Sequence, residues 1–317
     1  KMTTPTYYNA KKSLKLFGLI NDFNIFKSLY LKKRLPKVIM LSGKKGSGKS
    51  TLINHLMYYI FDNDNYDEKN HVLDIQTHFH AQFCNNLFSN IIYLNGSNFK
   101  NTKVDDVRNL KKKIYQTSIS RMPRFTIFDD VELFNNHSLN ALLKIIEEPS
   151  QNNYFILINN KSKPLLETVK SRCLEFNVVL NEHNRLNTIN SLVEKFNVNL
   201  LIDPRKSKLT PGTLIKFNFI FDENKISLDH DYLKNLKNIL NLYKKEKDIV
   251  YIDIIFFITH NYFNKLYIEK VLTNEKIIEY KNFVFENINK FFLYNLNQNA
   301  LLTSINNKVS SNSFGKR

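Results

Sequence analysis

The chain holds only two cysteines, seven glycines, seven prolines and no tryptophan among its 317 residues. Two thiols, Cys84 and Cys173, exclude a disulfide framework and a four-cysteine zinc module. They fit a reducing, cytoplasmic setting. So few glycines and prolines exclude collagen-like and linker-type sequence. Long apolar runs are missing as well: Ile252 to Ile258 is broken by Asp253, far short of a membrane span, so no membrane-embedded protein is expected. No basic-then-apolar leader opens the chain, so secretion is not expected. Acidic residues are scarce, 29 against 46 Lys and Arg, which leaves a net charge of +17. That excess points to a polyanionic partner without naming it. What is plentiful is aromatic, with 25 Phe and 16 Tyr, so the chain is not of the disordered class. Its length suits about two domains, each able to bury a core.

From Leu35 to about Leu180, strand-like and helix-like runs alternate, the pattern of an α/β domain with a parallel sheet. Val38-Ile39-Met40-Leu41, Ile91-Ile92-Tyr93-Leu94, Phe125-Thr126-Ile127-Phe128 and Phe155-Ile156-Leu157-Ile158 read as buried strands. Leu52, Leu56 and Ile60 recur every fourth residue and predict a helix, while Asp62 to Asn70 reads as a polar loop. Thr102-Lys103-Val104-Asp105 resembles a capping box ahead of a helix with Val107, Leu110 and Ile114 on one face. Leu139, Leu142, Leu143 and Ile146 predict an amphipathic helix stopped by Pro149. Beyond about residue 180 the pattern turns helical, with a break from Asp203-Pro204 to Pro211-Gly212. The reading divides the chain at 1–180, 181–220 and 221–317, with a frayed polar tail from Asn306.

One segment carries recognisable chemistry. Gly43-Lys44-Lys45-Gly46-Ser47-Gly48-Lys49-Ser50 satisfies G-x-x-x-x-G-K-[ST] between a predicted strand and a predicted helix, with Thr51 next. In that order, backbone N–H groups curl around a β-phosphate and the helix N-terminus adds its positive dipole end. Lys49 reaches β/γ oxygens and the Ser50 hydroxyl ligates Mg²⁺, so ATP and Mg²⁺ are the expected cofactors. The strand Phe125 to Phe128 ends in Asp129 and Asp130. Asp129 is placed to hold the Mg²⁺ through water. Asp130 stands where many P-loop ATPases carry Glu to orient the attacking water, and its shorter side chain argues against efficient hydrolysis.

Other constellations are weaker. His71, His78, His80 and Cys84 have a spacing that can hold zinc, but scattered donors of this kind are usually surface residues, so no zinc is expected. No G-x-S-x-G occurs, and Asp229-His230-Asp231 stands alone in a helical stretch. Tyr243-Lys244-Lys245 reads as a core edge with solvated lysines rather than a base-stacking platform.

Five ordered motifs add a resemblance. Leu16-Phe17-Gly18 with Arg34-Leu35-Pro36, the phosphate loop, Val104-Asp105-Asp106-Val107-Arg108, the run Leu139 to Pro149 and Ser171-Arg172-Cys173 are similar to those of AAA+ clamp-loader subunits. Within that family they most resemble the bacterial DNA polymerase III delta-prime branch. The resemblance covers residues 16–173; beyond about residue 215 it extends only to a helical collar. It implies an AAA+ α/β domain, a small helical lid and an all-α collar that assembles in a hetero-oligomeric ring. It further implies a sliding clamp and primed-template DNA as partners. Asp129 and Asp130 would be the Walker B acids, Asn160 the sensor 1 residue, and Arg172 an arginine finger serving a neighbouring subunit. In Leu209-Thr210-Pro211-Gly212-Thr213-Leu214, Gly212 takes the place of the sensor 2 arginine of active members, which favours a weak ATPase. Two alternatives stay open on sequence: the clamp-loader ATPase subunit itself, and another AAA+ replication ATPase such as an initiator.

Overall fold

The computed structural model describes residues 10–96, 122–149, 152–228 and 231–310. The predicted capping box at Thr102 and the helix behind it lie outside these residues, as does the Val104–Arg108 motif. Five strands form one parallel sheet: β1 (Val38–Ser42), β4 (Ile91–Asn95), β5 (Arg124–Asp129), β6 (Asn153–Asn159) and β7 (Leu174–Asn177), in the order β4-β5-β6-β1-β7. Parallel strands covered by helices on both faces are apolar in unbroken runs, and all five residues of β1 are buried.

Alternation along the strands divides the core in two. Ile39, Leu41, Phe125, Ile127, Ile156 and Ile158 pack with helices α1 (Ile20–Leu31) and α2 (Lys49–Phe61). Val38, Met40, Phe128, Phe155 and Leu157 pack on the other face with Leu139, Leu142 and Ile145 of the helix Asn136–Ile146. Each such side chain contributes roughly 2 kcal/mol by leaving water. The α/β class and the helical second part agree with the sequence reading.

Three local features depart from it. Residues 62–70 are not all loop, because β2 (Tyr66–Asp67) pairs antiparallel with β3 (Val72–Leu73). Tyr66 is buried there against Phe23, ring centroids 5.7 Å apart. Within the expected break, Pro204 and Pro211 each open a helix, Pro204–Ser207 and Pro211–Glu223. The missing proline N–H is one that a first turn leaves unbonded anyway. Part of the expected frayed tail is helical, Gln298–Ser310, pinned by buried Leu301 and Ile305.

The chain forms two compact units. The first runs to Val198 and takes in Lys208–Lys216; the second takes Asn199–Ser207 and the residues from Phe217 onward. Within the first unit, Ile189 of the helix Glu182–Phe196 packs with Leu214 and Ile215 as a small core of its own. In the second, the helices Tyr232–Glu246, Val250–Ile268, Asn274–Tyr294 and Gln298–Ser310 pack in succession, and the last also meets the first. Asp231 caps the first of them, accepting from the backbone N–H groups of Leu233 and Lys234 at 2.7 and 3.1 Å. No helix among the described residues is long and apolar enough to cross a membrane.

Candidate nucleotide site

The five sheet strands end, at their carboxyl edge, on Ser42, Asn95, Asp129, Asn159 and Asn177. Register sets these polar ends side by side: Ser42 opposite Asn159 and Asn177, and Asn95 opposite Asp129. The crevice outside the carboxyl ends of such a sheet is where ligands bind. The glycine loop leaves β1 at this edge and feeds α2. Gly46 and Gly48 hold φ of +78° and +94°, the left-handed region that lets the loop curl back before the helix starts. Gly48 is the residue that caps α2, so the first N–H groups of the helix face the loop.

Lys49 is buried, and its Nζ donates to the carbonyls of Gly43 and Lys44 at 2.8 and 2.9 Å and to Ser47 Oγ at 3.3 Å. Burial pushes its pKa down to about 8, against the pull of Asp129, Glu132 and Asp130. Ser50 Oγ donates to Asp129 Oδ2 at 3.3 Å. Asp129 also accepts from the Tyr93 hydroxyl and, at 3.0 Å, from the Asp130 N–H. Burial raises its pKa above the usual carboxylate value. A hydroxyl and a carboxylate 3.3 Å apart, both hard oxygen donors beside a phosphate loop, fit Mg²⁺.

Asp130 sits at φ +51°, and its carboxylate accepts from Asn160 Nδ2 at 2.6 Å and from Asn95 Nδ2 at 3.4 Å. The structure therefore joins the loop, Ser50, Asp129, Asp130 and Asn160 in one connected group. Sequence reasoning missed Glu132, which is buried and accepts from the backbone N–H of Asn160 at 3.1 Å and from Ser162 Oγ at 2.8 Å. It holds the turn that carries Asn160. Its only signal in sequence is its place three residues after Asp129. Tyr93 was missed as well, since its hydroxyl reaches Asp129 only through sheet register.

Arg172 stands apart from that group. It follows the short helix Glu167–Lys170, and its side chain is 37% exposed. Its Nε and Nη2 both lie 2.8 Å from Glu147 Oε1, and Nη1 donates to the Thr168 carbonyl at 2.8 Å. Glu147 caps the helix Asn136–Ile146. Burial pushes the neighbouring Cys173 thiol up to about 12, so it is an inert packing group.

The zinc candidates that make contacts do so in two places, with His71 in one and His80 and Cys84 in the other. His71 Nδ1 lies 3.4 Å from the Tyr66 hydroxyl, while His80 meets the Tyr58 hydroxyl and, at 3.5 Å, Cys84 Sγ. Among the described residues, no group of three or more His, Cys, Asp or Glu side chains is placed to hold a metal ion.

A family model described as DNA polymerase III, delta subunit, matches residues 21–195, more than half of the chain. The DNA polymerase III subunit delta' of Buchnera aphidicola subsp. Acyrthosiphon pisum is 27% identical over 309 residues, which cover 90% of this chain and 87% of that protein. The delta' subunit of Buchnera aphidicola subsp. Schizaphis graminum is 32% identical over 157 residues, 47% of this chain and 48% of that one. The gamma subunit from the same organism is 35% identical over 95 residues, 30% of this chain and 26% of that one. The chain thus spans about half or less of the length of these last two relatives. Among solved structures, a DNA polymerase III gamma subunit-related protein from Thermotoga maritima aligns at a TM-score of 0.44 and 15% identity, covering 92% of this chain and 99% of that one.

Proposed function

This chain belongs to the delta-prime-like family of DNA polymerase III clamp-loader subunits, and from that premise we propose that it works inside a hetero-oligomeric loader ring. There it helps the ATP-dependent placement of a sliding clamp on primed DNA, in the cytoplasm. Its own phosphate loop holds ATP, and its arginine serves the nucleotide of a neighbouring subunit. The net charge of +17 supports the DNA backbone as a further partner.

The loop residues Gly43 to Thr51 would offer their N–H groups to the phosphates, and Lys49 would exchange the carbonyls of Gly43 and Lys44 for β/γ oxygens. Ser50 and Asp129 would hold Mg²⁺, which when bound neutralises charge on the β/γ oxygens. Asn160, whose backbone Glu132 holds, would read the γ-phosphate. Asp130 is already engaged by two asparagine amides, and Gly212 offers no cation. Both features support a chain that binds ATP and turns it over weakly.

The observation that carries this reading is the separation of the two cations. Lys49 is buried in its own loop, whereas Arg172 is half-exposed and bonded away from it. An arginine that serves a neighbouring subunit has to lie outside its own chain's phosphate loop and be free to reach across, and Arg172 meets both conditions. The test is size-exclusion chromatography of this chain with the tau or gamma and delta subunits of DNA polymerase III. Co-elution as a stable assembly is expected; persistence as a lone chain at micromolar concentration overturns the reading. The intact Ser50–Asp129 pair favours one second reading, that of an ATPase subunit. Fast ATP turnover by the isolated chain would select it.

A further inference from the structure

We propose that Thr210, Gly212 and Thr213 are positioning residues for the phosphate loop, setting its nucleotide affinity from the start of the helix Pro211–Glu223. The proposal rests on the nucleotide reading above. The Lys45 carbonyl lies 2.6 Å from Thr210 Oγ1 and 3.1 Å from Thr213 Oγ1. A carbonyl has two lone pairs, so both hydroxyls can donate to it. The neighbouring Gly46 carbonyl accepts from the Gly212 N–H at 2.9 Å. That N–H is a first-turn donor with no partner inside its own helix.

These contacts act on the side of the loop opposite to the phosphates. In a planar trans peptide the C=O and N–H point in opposite directions. Holding the carbonyls of Lys45 and Gly46 toward Thr210–Thr213 therefore turns the N–H groups of Gly46 and Ser47 the other way, into the curl of the loop, where the Ser47 N–H meets the Lys44 carbonyl at 3.3 Å, an acceptor that a phosphate oxygen would replace. Those are the donors that a β-phosphate needs. The fit leaves no slack. A Cβ at Gly46 would stand 2.5 Å from Thr213 Oγ1 and 2.6 Å from Thr210 Oγ1. A Cβ at Gly212 would stand 2.9 Å from the Gly46 oxygen and 3.1 Å from its Cα. Gly212 is outside the left-handed region, so alanine there strains only this contact. The segment is itself anchored, because Leu214 and Ile215 are buried against Ile189.

The experiment is titration of the full chain with a fluorescent ATP analogue and Mg²⁺, read as affinity, alongside melting without nucleotide. Replacing both threonines by valine keeps shape and removes the hydroxyls, and should weaken binding by roughly tenfold. Replacing both by serine keeps the hydroxyls and should restore it. Gly212→Ala should weaken binding by a similar factor with melting unchanged. Lys49→Ala is the reference that should abolish binding. Valine and alanine variants that bind like the wild type or tighter, beside a Lys49→Ala variant that does not bind, overturn the inference alone. A serine variant as weak as the valine one does so too. Normal binding by Lys49→Ala overturns the nucleotide reading itself.

Discussion

Lys49 and Arg172 are the two cations to which the proposed function gives phosphate work, and the first unit treats them in opposite ways. Lys49 is buried, spends its protons on three acceptors of its own loop, and has its pKa pushed down to about 8 by burial. Arg172 is 37% exposed and rests on the Thr168 carbonyl and on one carboxylate, Glu147, itself 44% exposed. A buried ammonium is costly unless anionic oxygens come to it. A half-exposed guanidinium can leave a surface pair for less than about 1 kcal/mol. The contrast separates a group built to receive a ligand from one built to be delivered. It supports the proposal that this chain binds nucleotide itself and lends charge to its neighbour's site.

The largest effect is expected at Lys49. Lys49→Ala removes charge-assisted hydrogen bonds worth roughly 2 kcal/mol each, so affinity for an ATP analogue should fall by at least about 100-fold. Circular dichroism should show the fold retained. A folded variant with unchanged affinity would make the loop a structural relic. The next effect is one of pH. The ammonium is fully present below about 8 and is lost as pH rises through that value. Bound polyphosphate favours the charged form, so binding takes up a proton above pH 8. Affinity should therefore be flat below that pH and fall by about tenfold per pH unit above it. An isothermal titration series checks this, and Lys49→Arg should flatten the profile because a guanidinium keeps its proton. The smallest effect belongs to the other cation. Glu147→Gln should cost under about 1 kcal/mol, a melting shift of a few degrees at most. A loss of several kcal/mol would make Arg172 a structural group rather than a deliverable one.

Much of this contrast is legible in the amino-acid sequence. The phosphate loop, the strand ending in Asp129 and Asp130, and Ser171-Arg172-Cys173 are local strings, and the chemistry they suggest depends on neighbours in sequence. The buried strands are legible because parallel strands covered on both faces are apolar throughout. What escapes such a reading depends on register. Glu132 matters because the turn after β6 brings Asn160 next to it; Tyr93 matters because Asn95 lies opposite Asp129, which brings the two strands together. Thr210 and Thr213 lie 165 and 168 residues from the carbonyl they hold. The strands at Tyr66 and Val72 are two residues each, too short to show a period. Pro204 and Pro211 read as breakers because composition alone does not tell a first-turn proline from an interior one.

One rate decides whether Arg172 acts on a neighbour's nucleotide. The chain is reconstituted with its DNA polymerase III partner subunits, and ATP turnover is measured with clamp and primed DNA, wild type against Arg172→Ala. An arginine finger supplied in trans is worth on the order of 10³–10⁵ where one site sets the rate. With several sites sharing the work, the drop expected here is at least about tenfold, with the assembly intact on a sizing column. An assembly that turns over ATP and loads the clamp equally well with Arg172→Ala contradicts the account.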